Sequence, residues 1–375
     1  LVNACNDFAM RLQWQLVTNP EYKNNFVSPF SIALALAMTY NGARGQTATE
    51  MAATLGFPGV AREALNAAAQ PLMALLTRRQ PGAELYLANS LWARADLPFK
   101  PDFLARVTDA YAAEVHNIDF LEPDALKHIN DWVSAATKNK IQELIKSQDL
   151  TDDTLLILIN AIYFKGTWQK QFDAARTQPR DFTSADGAVT QVPMMTQQER
   201  FPYNQTPLFQ IIRLAYADER LGMYILLPPR GAALDDILAE LTPQNWHTWT
   251  TELRAEKGTI VLPKFTLMSE YELNEPLCRL GMPLAFDRER ADFFDMATME
   301  AVRGIICIDK VRHKAFVDVN EEGTEAAAAT SVGMVRVTSL MPEEPFEMIV
   351  DHPFLFAICD RETDAILFLG TVNTL

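Results

Sequence analysis

Apolar residues Val2, Cys5, Phe8, Ala9, Leu12 and Leu16 recur at helical spacing, which predicts an amphipathic helix at the start of the chain. Asn19-Pro20 stops it, because proline disfavours helical backbone in the residue before it. In Ser28-Pro29-Phe30-Ser31 the Ser28 hydroxyl suits an N-cap and Pro29 suits the first helical position. The residues from Ile32 to Tyr40 that follow are apolar almost throughout, the pattern of a buried helix, and Gly42 ends it. Further helices are predicted from Arg62 to Leu76 and from Ile129 to Ile145. The second is interrupted near Lys138-Asn139, where asparagine tolerates left-handed backbone.

The pattern then changes. Leu85 to Ala93 reads as a strand. Leu155 to Phe164 is a long apolar run rich in β-branched and aromatic residues, as expected of a strand buried on both faces. The polar Asn160 inside it needs a hydrogen-bond partner. Two hairpins are predicted, Phe209–Tyr216 with Leu221–Leu227 and Phe354–Cys359 with Ala365–Leu369. Thr259 to Leu267 is a further strand. Helices come first and strands later, which argues for an α+β protein. No internal repeat or linker is visible, so residues 1–375 are expected to form one domain.

Hydrophobic residues make up 49 % of the 375 residues, enough for a large core. The net charge of −15 repels polyanions. The nearest basic clusters, Arg78–Arg79 and Lys138–Lys140, are short, whereas a phosphate groove needs clustered Lys and Arg. Neither nucleic acid nor activation by a heparin-like cofactor is expected. No apolar run reaches transmembrane length, and no membrane partner is expected. The four cysteines, Cys5, Cys278, Cys307 and Cys359, are scattered without CxxC spacing. This predicts neither a zinc site nor a disulfide framework, and leans toward a reducing compartment or a fold that needs no staples. No signal peptide is visible, although the chain begins at Leu1 rather than Met. The lone sequon Asn204-Gln205-Thr206 is weak evidence for secretion.

Catalytic chemistry is not evident. The five histidines, His116, His128, His247, His313 and His352, show no metal-ligand spacing. Neither GxSxG nor GxGxxG occurs. The glycine-containing stretch Gly42–Thr47 lacks the lysine and spacing of a phosphate loop and is better read as the turn after a helix. No enzyme activity, cofactor or metal is expected.

The informative stretch is Asn320-Glu321-Glu322-Gly323-Thr324-Glu325-Ala326-Ala327-Ala328-Ala329-Thr330. Alanine favours helix, yet Val317, Val319, Val332, Val335 and Val337 around it favour strand. Such local conflict marks functional sites. Preceded by His313-Lys314-Ala315-Phe316, the stretch resembles the hinge of inhibitory serpins. Asp351-His352-Pro353-Phe354-Leu355-Phe356 and Ile366-Leu367-Phe368-Leu369-Gly370 are similar to the serpin C-terminal signature. Asn160–Trp168, Ser28–Ser31 and Leu262-Pro263-Lys264-Phe265 resemble a central sheet strand with its turn, the start of a buried helix, and another strand. The matches keep family order from about residue 7 to 372.

This resemblance implies a serpin fold: about eight to nine helices around three β-sheets, with a mobile reactive-centre loop at about 321–344. It implies a monomeric suicide inhibitor of serine proteases, in which the cleaved loop inserts as a new strand while the protease is held as a covalent acyl-enzyme. Strand addition of this kind is a recognised mode of recognition, of which serpin loop insertion is one case. In an inserted strand Thr324, Ala326, Ala328, Thr330, Val332 and Met334 would face the core. Glu325, Ala327, Ala329, Ser331, Gly333 and Val335 would face outward. The inward set is uncharged, and no proline occurs between Glu321 and Met341. About a dozen ladder residues at ~1 kcal/mol each rival the total stability of a domain. Counting the family's usual seventeen residues from Glu321 puts the reactive bond at Val337–Thr338, suited to an elastase-like target. A register one residue shorter gives Arg336–Val337 and a trypsin-like target, and cleavage near Met334, Leu340 or Met341 is the remaining alternative. By the same resemblance Ser28, Ser31, Asn160 and His313 hold the middle of the sheet closed, and Trp168, Lys264 and Glu321 sit where the loop enters. Where many serpins carry Asn-Gly, this chain has Lys138-Asn139. The family also favours an extracellular setting without fixing the compartment, and it contains non-inhibitory chaperones, carriers and storage proteins, the alternative reading.

Overall fold

The computed structural model describes residues 1–78, 82–217, 219–297, 306–324 and 344–375. Among them the helices are α1 Val2–Val17, α2 Pro29–Tyr40, α3 Gly45–Thr54, α4 Arg62–Leu76, α5 Pro101–Tyr111, α6 Ala125–Ala136, α7 Leu234–Ala239, α8 Pro243–Thr251 and α9 Asn274–Leu280. The strands are β1 Asn25–Val27, β2 Ala83–Arg94, β3 Glu114–Ile118, β4 Leu156–Thr167, β5 Gln178–Thr183, β6 Val189–Gln205, β7 Gln210–Ala215, β8 Leu221–Leu227, β9 Arg254–Pro263, β10 Phe265–Glu272, β11 Lys310–Val319, β12 Gly323–Thr324, β13 Phe346–Ile349, β14 Phe354–Asp360 and β15 Ala365–Val372.

Two sheets carry these strands. One runs β10-β11-β12-β4-β2-β3, and the other runs β1-β15-β14-β8-β7-β6-β9-β13 with β5 on β6. Three sheets were expected; hydrogen bonding joins two of them through the long β6. Its start pairs with β5, its middle with β9 and its end with β7.

The helix α2 lies in the core. Every residue from Pro29 to Tyr40 is buried, and the Ser28 side chain accepts from the Ser31 N–H as the expected cap. The largest apolar cluster unites Phe8, Phe30, Leu34, Ile162, Phe164, Phe356 and Phe368 from both sheets and the helices. A second cluster covers the far face of the larger sheet with Leu234, Ile237 and Trp246 of α7 and α8. A third lies on the outer face of the smaller sheet, where Ile129 and Val133 of α6, with Ile141, Leu144 and Ile145, cover Ile157, Ile159 and Ala161 of β4.

Two sequence expectations need correction. The helix predicted to resume as far as Ile145 ends at Ala136. Lys138 and Asn139 both take positive φ, 53° and 62°, and the Asn130 side chain accepts from the N–H groups of Leu144 and Ile145, fixing them outside any helix. The strand predicted over Thr259–Leu267 is two strands in different sheets, β9 and β10. Ile260 to Pro263 are all buried, whereas β10 alternates, and Lys264 between them donates its N–H to the Pro193 carbonyl. Both predicted hairpins form.

The larger sheet is pinned by a buried ion pair. Asp360, fully buried at the end of β14, accepts from Arg220 Nε at 2.9 Å, and Arg220 also donates to the Leu75 carbonyl at the end of α4. Removing Asp360 takes away the buried carboxylate that balances Arg220 and leaves the half-exposed Glu362 carboxylate at 3.6 Å, a weaker compensation for a buried charge. Asp360→Ala is therefore expected to lower unfolding free energy by about 3–5 kcal/mol, read from the midpoint of denaturant unfolding.

Candidate functional site

The centre of the smaller sheet is a seam. From Lys310 to Phe316, β11 pairs directly with β4 in parallel, seven residues on each side. Beyond that the two strands part, and β12 lies between them. Thr324 pairs antiparallel with Val319 of β11 and with Gly166 of β4. A strand that begins in the middle of a sheet is thus present for two residues.

Close packing fixes this entry point. Asn320 and Gly323 exchange backbone hydrogen bonds, so the chain reverses between β11 and β12. Gly323 has φ 152°, and a Cβ there would lie 2.0 Å from the Gly166 carbonyl oxygen; only glycine fits. Thr324 is fully buried and its hydroxyl meets the Tyr216 hydroxyl at 2.8 Å. The Tyr216 ring stacks on Trp168 at 4.6 Å. Trp168 donates its N–H to the Glu322 carbonyl and its Nε1–H to the Asn320 carbonyl, each at 2.9 Å. Phe172 donates its N–H to the Glu321 carbonyl. The Glu321 carboxylate accepts from Lys264 Nζ at 2.8 Å and from the Thr177 hydroxyl at 2.7 Å. Burial works to raise the pKa of Glu321, but these partners outweigh it and hold the carboxyl below its ordinary value. Lys264 is more than a third exposed, so the pair contributes about 0–1 kcal/mol and mainly fixes position.

Below the entry point a buried polar cluster crosses the seam. Asn160 on β4 lies beside His313 on β11 in register. The Ser28 N–H donates to His313 Nε2 at 3.1 Å. Nε2 is therefore the acceptor nitrogen, and Nδ1 carries the proton that it donates to Asn160 Oδ1 at 2.5 Å. The Ser31 hydroxyl donates to the same oxygen at 2.7 Å. Asn160 Nδ2 then donates to Asn89 Oδ1 on β2. The Ser28 hydroxyl donates to the Leu367 carbonyl at 2.6 Å, which ties the cluster to the other sheet. His313 is fully buried, and desolvation pushes its pKa from 6.5 down to about 3.

The structure thus brings Ser28, Ser31, Asn160 and His313 into one hydrogen-bonded cluster, and Trp168, Lys264, Glu321, Glu322, Gly323 and Thr324 into another. Glu325, Ala326, Ala327, Ala328, Ala329 and Thr330, together with Arg336, Val337 and Thr338, lie outside the described residues. Sequence reasoning missed Tyr216, Thr177 and Asn89. Asn89 had a signal: it is the polar residue in the apolar phase of the Leu85–Ala93 strand. Tyr216 and Thr177 had none, because only tertiary packing brings them to β12.

Residues 3–375 match the family model described as Serpin (serine protease inhibitor). The chain is 38 % identical over 384 residues to the leukocyte elastase inhibitor of Homo sapiens, covering all of this chain and 99 % of the relative. Its structure resembles the native state of the thermophilic serpin tengpin with a TM-score of 0.91 at 28 % identity, covering 100 % of this chain and 94 % of that one. It also resembles human thyroxine-binding globulin in its hormone complex, with a TM-score of 0.87 at 30 % identity, covering 100 % and 98 % of the two chains.

Two expectations follow from the geometry. The folded-state pKa of His313 lies below its unfolded value, so its contribution to stability is complete above about pH 6.5 and is lost as pH falls toward about 3. Melting temperature should decline through that window, and His313→Gln, which does not titrate, should show a flatter decline from a lower starting point. Gly323→Ala should expel β12, by the backbone clash with Gly166. Hydrogen exchange should then speed up by about tenfold or more at the amides of Trp168 and Phe172, for a strain of ~1–3 kcal/mol.

Proposed function

Because the chain belongs to the serpin family, we propose that it is a suicide-substrate inhibitor of serine proteases whose loop, cut between Val337 and Thr338, inserts into the smaller sheet along the β4–β11 seam. One observation carries this reading: β12 already occupies the first two positions of the strand that insertion would complete, antiparallel to both neighbours. Continuing its register would set Ala326 beside Phe164 and Val317, Ala328 beside Ile162 and Ala315, and Thr330 between Asn160 and His313. The seven direct pairs of the closed seam would be exchanged for two ladders. The inward positions meet buried apolar neighbours until Thr330, which meets the polar cluster and offers a hydroxyl to replace the broken Asn160–His313 contact.

The chemistry is the protease's own. Its serine attacks the carbonyl of Val337, the Val337–Thr338 bond breaks, the amine of Thr338 leaves, and Val337 remains as an ester on the serine. Insertion then carries the attached protease toward the far end of the sheet. Pulling the ester out of register with the oxyanion donors removes the largest stabilising contribution to deacylation. Trp168, Lys264, Glu321 and Thr177 hold the hinge in its starting position, and Ser28, Ser31, Asn160 and His313 set the resistance of the seam. The chain contributes no catalytic group and acts as a monomer without heparin-like activation. A valine at the cut bond suits a small apolar pocket and favours an elastase-like protease, with cleavage after Arg336 by a trypsin-like protease second. The relative most relevant here is named for inhibiting leukocyte elastase.

A carrier reading has one supporting observation, the likeness to thyroxine-binding globulin. The small, uncharged inward residues of this hinge favour insertion over that reading.

The test is a denaturing gel of the protein with elastase and with trypsin, joined to mass spectrometry of the released peptide. The expected result is a covalent band with elastase and a peptide starting at Thr338. Ala326→Arg, which would bury a charge beside Phe164, should abolish the band while leaving cleavage intact. Clean cleavage of the parent chain without a band across a broad protease panel would favour the carrier reading.

A further inference from the structure

We propose that Gln13, Asn25 and Thr371 form an internal binding site for water between α1, β1 and β15, and that α1 docks on β15 through it.

Among the described residues, these three combine complete burial with polar side-chain atoms that have no protein partner. The atoms are Gln13 Nε2 and Oε1, Asn25 Nδ2 and Thr371 Oγ1. Buried donors and acceptors are costly to leave unmet.

The fold places the three together. Asn25 and Thr371 are register partners in the β1–β15 ladder, so their side chains share one face of the sheet. Asn6 anchors the start of α1 on β15. Its Nδ2 donates to the Asp364 carbonyl at 2.8 Å, and its Oδ1 accepts from the Ile366 N–H at 3.0 Å. The chain leaves α1 at Val17 and enters β1 at Asn25, beside Thr371, so α1 runs toward that end of β15. Gln13 lies two turns beyond Asn6 on nearly the same helix face, a rise of about 10 Å. That rise matches about three strand residues and carries the helix from Ile366 to Leu369. Met10 and Val17, which flank Gln13 on adjacent turns, pack in one apolar cluster with Leu369. Thr371 is the next residue on the face of Leu369.

The unmet groups select the ligand. The Phe26 N–H donates to the Tyr271 hydroxyl oxygen at 3.2 Å, and that hydroxyl donates to Asn25 Oδ1 at 3.4 Å. Asn25 therefore offers Nδ2 as a donor. Gln13 offers a donor and an acceptor, and the Thr371 hydroxyl can act as either. None of the three is charged, so an ion would find no counter-charge here. Water gives and takes two hydrogen bonds, and about three partners are usual for a buried one. The three side chains do not bond one another, as expected where a water stands between them. Complete burial seals the site, so exchange with solvent requires α1 to lift from the sheet.

The test uses the intact chain and water-oxygen relaxation dispersion, which counts long-lived internal waters. Gln13→Met keeps the side-chain length and removes both polar atoms. The count is expected to fall by at least one. The melting temperature should fall by about 1–4 °C, since Asn25 and Thr371 lose their partner. Without a bound water the same change would only remove unmet polar atoms and raise the melting temperature. Thr371→Val is nearly isosteric, and its loss should be less than additive with that of Gln13→Met in the double variant. Asn6→Ala loosens the other anchor of α1 and should shorten the residence time of the water severalfold. An unchanged count or a raised melting temperature in Gln13→Met would overturn the site. Additive losses would overturn the sharing of one water, and an unchanged residence time in Asn6→Ala would overturn the docking of α1 through it.

Discussion

The rest of the molecule is organised around a direct parallel pairing of β4 with β11 that stops short. Parallel ladders are slightly weaker per residue than antiparallel ones, and this one is held from both faces. Inside, the His313–Asn160 bond crosses it, anchored by Ser28 and Ser31 at the start of the buried helix α2. Outside, α6 and the segment after it lay Ile129, Val133, Ile141 and Ile145 over β4. Each such side chain buries ~1.5–3 kcal/mol of apolar contact. Any strand that enters the seam must displace both layers, so the barrier to opening has a polar part within and an apolar part without.

The polar part explains why Asn160 sits in a strand that is otherwise apolar. A carboxamide buried without partners would be costly. Here its oxygen takes two donors and its nitrogen takes Asn89. The arrangement tolerates no extra proton: charging His313 would remove the acceptor that the Ser28 N–H needs. Stability and the closure of the seam therefore rest on the same hydrogen bonds, which ties the pH response of the fold to the seam.

Much of this was legible in the chain. The apolar phase of Ile32 to Tyr40 announced α2, and Leu155 to Phe164 announced β4 with its demanding asparagine. Of the stretch after Val319, Gly323 and Thr324 are seen as β12, while its alanines and later valines lie outside the described residues. What could not be read were contacts set by distance in sequence. Tyr216 and Thr177 reach β12 only because β7 and the segment before β5 fold over it. The break at Lys264 was hidden, since residues on both sides favour strand and only the change of sheet separates them. The end of α6 was half visible: Asn139 pointed to a left-handed turn, but the Asn130 side chain, fourteen and fifteen residues from the amides it binds, decided that no helix resumes.

The two residues of β12 bear on time as well as on geometry. Forming a new strand inside a sheet is a nucleation problem, because the first contacts lose chain freedom before neighbours reward it. In this chain two residues of such a strand are already paired, with Thr324 seated on both flanking strands, a ready nucleus for the insertion proposed above. What remains is propagation, one residue after another down a prepared track. Under the proposed insertion its speed would be set by how fast α6 yields and the Asn160–His313 contact parts, rather than by a search for the right register. For the proposed trapping of an acyl-enzyme, a race against hydrolysis, such a head start would remove the slowest opening move.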